Sequence, residues 1–138
     1  MNIKDFEDVQ LPHGDKLELI FKRQKELAEK YHSIEEENAG RPLPTCPVNI
    51  NSYRGQERLK DFAWRITEEI AEAMLCLKMR PWKITPQVTD KDHYYEEIID
   101  AFHFFIELLI MSGLDAEKVT KLYLAKNEVN LWRQKSKY

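Results

Sequence analysis

Tyr95-Glu96-Glu97-Ile98-Ile99-Asp100-Ala101-Phe102-His103-Phe104 sets two acids inside one of the most apolar parts of the chain. Glu97 and Asp100 are three residues apart, so on a helix they share a face. Ile98, Ile99, Phe102, Phe105, Ile106 and Leu109 predict that helix, from about Asp92 to Met111, with Gly113 closing it. The apolar run from Ile98 to Met111 is interrupted by Asp100, His103 and Glu107 and is too short to span a membrane.

A second stretch repeats the device: Arg65-Ile66-Thr67-Glu68-Glu69-Ile70-Ala71-Glu72-Ala73. Glu69 and Glu72 are again i,i+3. The predicted helix runs from about Gln56 to Met79, ends at Pro81, and has Leu59, Phe62, Ala63, Ile66, Ile70, Ala73 and Leu77 inward. Upstream, Asp15 is the expected N-cap of a helix reaching about Glu37, with Leu17, Ile20, Phe21, Leu27, Ala28 and Tyr31 as its apolar stripe and Gln24 inside it. Asn38-Ala39-Gly40 stops that helix. The proline-rich connector from Arg41 to Pro47 is stiff and long enough to cross one end of a bundle. Downstream, Asp115 caps a fourth helix carrying Val119, Leu122, Tyr123 and Val129 to about Arg133. Gly55 reads as a helix boundary. Four such helices imply an all-α bundle of four to five helices, with residues 1–14 as an N-terminal extension and 15–138 as a single domain.

The chain has 138 residues, 43% apolar and 33% charged, with a formal net charge of −3. That composition suits a soluble globular protein and excludes a wholly disordered chain or a strongly basic nucleic-acid binder. Charge is uneven: residues 1–40 carry −4, 41–113 carry −2 and 114–138 carry +3. Cys46 and Cys76 make no disulfide framework, and the acidic start is unlike a signal peptide. The expectation is a cytoplasmic protein with no membrane segment.

Four carboxylates on facing helices would repel one another and cost desolvation. A hard divalent cation removes that objection. Mg²⁺ takes carboxylate, water and phosphate oxygens, and the scarcity of thiolate and histidine argues against zinc. A ferritin-like di-iron centre needs Glu-x-x-His motifs, and Asp100-x-x-His103 is the nearest approach, occurring once. On the residues alone two readings stand: a cation site, or solvated helix faces with i,i+3 partners. There is no P-loop and no nucleophile–histidine–acid set.

The run Glu68-Glu69-x-x-Glu72, a spacer of 24 residues, then Glu97-x-x-Asp100 resembles the signature of the all-α NTP pyrophosphatases, the superfamily of MazG-like proteins and dimeric dUTPases. Within it the chain looks most like the dimeric dUTPase/dCTPase branch, especially phage dCTP/dUTP pyrophosphatases. Further likeness lies in the Asp15 to Leu27 stretch, in Trp82-Lys83, in His103-Phe104, and in Leu122-Tyr123-Leu-Ala-Lys126-Asn127-Glu128-x-Asn130-x-x-Arg133-Gln134 through to Tyr138. Leu27 stands where family members often have Asn.

The resemblance implies Mg²⁺-dependent cleavage (Mn²⁺ substituting) between the α- and β-phosphates of dCTP, dUTP or both, giving monophosphate and pyrophosphate. It implies two or more cations held by Glu69, Glu72, Glu97 and Asp100, with Glu69 positioning the attacking water. Gln24 and Trp82 match positions near the base. Lys126, Asn127 and Asn130 match phosphate or sugar contacts, and Arg133, one turn beyond Asn130, extends that face. His103 is expected as support to a ligating carboxylate. The active form is expected to be a homo-oligomer, most simply a dimer, in a bacterial or phage-infected cell. The alternatives are a same-fold pyrophosphatase for another or modified nucleotide and a non-catalytic helical interaction protein.

Overall fold

The computed structural model describes residues 3–85 and 87–137. Pro86, expected in the loop after the second helix, and Tyr138, the last residue of the resemblance, lie outside the described residues, as do the first two residues. A short 3-10 helix, Ile3–Asp8, precedes four α-helices: α1 (Lys16–Ala39), α2 (Tyr53–Cys76), α3 (Lys91–Met111) and α4 (Ala116–Lys135). No strand occurs among the described residues, so the fold is all-α as expected. No helix is long and apolar enough to cross a membrane.

The helix starts follow local chemistry. Asp15 accepts from the Glu18 amide at 3.0 Å, Asp90 from the His93 amide at 3.1 Å and Asp115 from the Lys118 amide at 2.8 Å, each satisfying an otherwise orphaned donor. Gly40, at φ 65°, ends α1 in the left-handed conformation that glycine adopts without steric cost.

Two expectations for α2 are corrected. It begins at Tyr53 rather than near Gln56, because Ser52 is its cap and accepts from the Gly55 amide at 3.0 Å. Gly55 is therefore in the first turn, not at the boundary. A Cβ there would lie 2.0 Å from the Asn49 carbonyl oxygen, so only glycine fits. The helix also stops at Cys76 instead of continuing to Met79. Leu77 is extended, the Lys78 amide donates to Thr89 Oγ1 at 3.3 Å, and the Arg80 guanidinium takes up the Leu77 carbonyl.

α2 and α3 form an antiparallel pair. Phe62 meets Phe104 edge-on with ring centroids 6.0 Å apart. Val48, Phe62 and Met111 make a core with Leu59, Phe104 and Leu108 around it. The connector does cross this end of the pair, tied by the Val48 amide donating to the Met111 carbonyl at 2.8 Å. Phe62 lies under two guanidinium groups, Arg58 Cζ at 4.7 Å and Arg65 Cζ at 4.4 Å from its centroid. Glu35 of α1 neutralises both, bonding Arg58 and, at 2.6 Å, Arg65 Nη1.

Apolar burial is more restricted than the helical periodicity predicts. Ala63 and Ile70 of α2 and Leu77 just beyond it, Ile20 and Tyr31 of α1, and Ile99, Phe102 and Phe105 of α3 are exposed rather than inward. α4 packs on α1 alone among the helices, and all its residues from 120 to 132 are exposed, Tyr123, Leu124 and Trp132 included. The chain presents 11204 Å² of accessible surface. A compact monomer of this mass presents roughly 7,500 Å².

Candidate metal centre

The register that joins Phe62 to Phe104 also builds the acidic site. Seven residues further along α2 is Glu69, and seven residues back along α3 is Glu97. Antiparallel pairing therefore sets these two carboxylates opposite each other, about two turns from the aromatic pair. Asp100, one turn along α3 from Glu97, completes a cluster. Glu69, Glu97 and Asp100 each offer an oxygen, and the three oxygens lie within 4.8 Å of one another. Glu97 is buried, with 8% of its surface exposed, and the other two are partly accessible. Glu72, one turn along α2 from Glu69, is not part of that three-residue cluster but is close enough for the Glu97 charge to raise its pKa.

The protonation pattern shows how tightly the acids are pressed together. Burial, then a hydrogen bond to Glu97 and the charges of Glu72, Asp100 and Glu97, push Glu69 up to about 7. Glu72 is raised by its hydrogen bond to Glu97 and by that neighbour's charge. Asp100 is raised by burial and then by Glu97, with His103 acting in opposition. Glu97 moves the other way. Burial alone would raise it, but hydrogen bonds with Glu69, Glu72 and His93 hold it below the ordinary carboxylate range. Glu97 is thus favoured in its ionised form, while its neighbours are pushed toward their protonated forms. A divalent cation is a stronger remedy for the same repulsion, and the donors are all hard oxygens. The cluster can coordinate such a cation.

The remaining residues of interest are distributed around this centre. Gln24 is buried, and its Nε2 donates to Glu107 Oε2 at 3.2 Å. Trp82 stands in the turn after α2 with 76% of its surface exposed. His103 places Nδ1 2.9 Å from the Ile99 carbonyl oxygen. Lys126, Asn127, Asn130 and Arg133 are all on α4. Asn127, Asn130 and Arg133 line a shallow depression with Leu131 and Gln134 of that same helix. Within one chain α4 does not pack on α2 or α3, so its cationic face and the carboxylates stay apart.

Two residues beside the centre were given no role by the sequence reading. His93 lies one turn before Glu97, its Nε2 2.8 Å from Glu97 Oε1. Glu107 lies two turns beyond Asp100 on the same stripe of α3. Burial raises its pKa, and Gln24 partly offsets the shift. Both spacings, i,i+4 and i,i+7, were readable on a helix.

Similarity to known proteins points in a compatible direction. Over 42 residues the chain is 48% identical to the dCTP pyrophosphatase of Enterobacteria phage LZ5, a match covering 30% of this chain and 24% of that relative. It is 40% identical over 42 residues to the dCTP pyrophosphatase of Enterobacteria phage T4, covering 30% of this chain and 25% of the relative. The matched part thus spans about a quarter of the length of these curated relatives. No protein-family model matches the chain. No solved structure matches it.

Proposed function

We propose that the chain is a Mg²⁺-dependent nucleoside triphosphate pyrophosphohydrolase that converts dCTP, dUTP or both to the monophosphate and pyrophosphate. The observation that carries this reading is the convergence of Glu69, Glu97 and Asp100 on two helices of a chain locally similar to dCTP pyrophosphatases. Glu69, Glu72, Glu97 and Asp100 would hold the cations. Bound there, Mg²⁺ supplies charge neutralisation for the triphosphate and a lower pKa for a coordinated water.

The side chains do the rest. Glu69 is partly accessible, and burial with the neighbouring acids pushes its carboxyl up to about 7. That suits it to hold the attacking water and accept its proton near neutral pH. The water attacks the α-phosphorus in line, and pyrophosphate leaves from the opposite side. Lys126 and Arg133 offset the leaving group's charge, and Asn127 and Asn130 bond phosphate or sugar oxygens. Gln24 sits beside Glu107, two turns from Asp100 along α3, a position that separates base recognition from the reacting phosphate. Its amide can donate to the carbonyl of uracil or cytosine, or turn to accept from the cytosine amine. Trp82 covers the base face. His103, one turn along α3 from Asp100, supports that carboxylate from beside it.

Because α4 stays apart from α2 and α3 within one chain, its residues reach the triphosphate across a subunit interface. The functional unit is accordingly a homodimer. The exposed surface exceeds that of a compact monomer by a few thousand Å², the scale of an obligate dimer interface.

A product assay on the eight common NTPs and dNTPs with Mg²⁺ tests the reading. The expected products are dCMP or dUMP with pyrophosphate, and purine turnover is expected to be far lower. Release of orthophosphate contradicts the mechanism. Equal use of dATP and dCTP contradicts the base assignment.

A further inference from the structure

We propose that His93 is a positioning residue for the cation site, holding the Glu97 carboxylate in its ligating orientation when the cation is bound. The inference rests on the metal-dependent reading above, but nothing in that reading requires His93.

Glu97 is the buried carboxylate of the cluster, and His93 Nε2 lies 2.8 Å from its Oε1. A carboxylate that ligates a cation only accepts, so the ring nitrogen facing it carries the hydrogen and donates it.

His93 is itself fixed. Its backbone amide donates to Asp90 Oδ1 at 3.1 Å in the first turn of α3, and i,i+4 spacing lays its ring along the Glu97 side chain. A hydrogen bond to one oxygen sets the plane of the carboxylate and leaves the other oxygen for the cation. His103 does something different: its Nδ1 meets the Ile99 backbone carbonyl. Of the two histidines on α3, only His93 bonds a carboxylate of the cluster.

The test is Mn²⁺ binding to the metal-free, full-length protein without nucleotide, read from the free-Mn²⁺ paramagnetic resonance signal. His93→Ala is expected to weaken binding about 10- to 100-fold. His93→Gln, whose amide can donate from a similar reach, is expected to recover most of that loss. His32→Ala is the control, because His32 and Glu36 form the same i,i+4 pair at 2.9 Å on α1, away from the cluster. It should leave Mn²⁺ affinity unchanged. The melting midpoints of the metal-free variants should match that of the parent, since the His93 side chain is 55% exposed. Unchanged or tighter Mn²⁺ binding by His93→Ala, with the parent binding normally, overturns the positioning role. Loss in His93→Ala with no recovery in His93→Gln also overturns it, because the donor would then not be what matters. A parent protein that binds no Mn²⁺ removes the metal-dependent reading itself, and the His93 role with it.

Discussion

Glu69 on α2 and Glu97 on α3 bring carboxylate oxygens within 4.8 Å of each other across the helix pair, although both are acids. Burial and that crowding push the Glu69 carboxyl up to about 7, so it retains its proton at pH values where an isolated glutamate is ionised.

That retained proton makes stability depend on pH. Glu69 is raised from 4.5 to about 7 in the folded chain, and Glu72 and Asp100 are raised too. A raised carboxyl stabilises the fold fully below its unfolded value, and the contribution is lost as pH climbs through the folded value. Glu97, held low, works in the opposite sense but is a single group. Metal-free protein should therefore lose thermal stability between about pH 4.5 and 7, and Glu69→Gln should flatten that slope. Saturating Mg²⁺ should reverse it, since the ionised carboxylates then bind the cation. Melting curves across this range, with and without Mg²⁺, check the sign.

Replacing Glu72 or Asp100 by Ala should abolish turnover. The metal-free variants should be as stable as the parent or more so, because each loses one member of a repelling cluster. Steady-state assays and melting curves on the same preparations measure both. Full activity in Asp100→Ala would remove that residue from the site.

The opposite behaviour is expected at Glu35. Burial would raise its pKa, but hydrogen bonds from Arg58 and Arg65 hold it below the ordinary value. Its stabilising contribution is present above the unfolded value and is lost as pH falls through the folded one. Glu35→Ala leaves two guanidinium groups without their shared acid beside Phe62, and should cost about 3 kcal/mol. Urea unfolding at pH 7 measures the loss, and the gap between parent and variant should narrow in acid.

Much of this architecture is legible from short-range chemistry. Asp15, Asp115 and Gly40 mark helix ends because each acts on backbone groups within a few residues. Glu69, Glu97 and Asp100 are legible because helical periodicity alone puts each acidic pair on one face. Their convergence needs only an antiparallel neighbour, which the loop between α2 and α3 permits. What stays hidden depends on distant partners. Gly55 is required by the Asn49 carbonyl, and the early end of α2 by the Lys78–Thr89 bond. The exposure of Tyr123, Leu124 and Trp132 could not be read from α4, because apolar residues at helical spacing look alike whether they meet their own chain or another.

Those α4 residues lead to an assembly prediction. The protein should sediment as a dimer at micromolar concentration, and Leu124→Glu with Trp132→Glu should shift it to monomer. Asp100→Ala and Lys126→Ala subunits, each inactive alone, should regain up to about a quarter of parental turnover when mixed. A mixed dimer carries one site with both residues intact only if α4 acts across the interface. No recovery in a confirmed mixed dimer would place Lys126 in its own chain's site or in none.

The most direct measurement is hydrolysis of dCTP with Mg²⁺ in ¹⁸O-labelled water, with both products weighed by mass spectrometry. Attack at the α-phosphorus by a water held at Glu69 predicts one ¹⁸O in dCMP and none in pyrophosphate. Label in the pyrophosphate, release of orthophosphate, or no metal-dependent turnover of any pyrimidine deoxynucleotide would contradict the account.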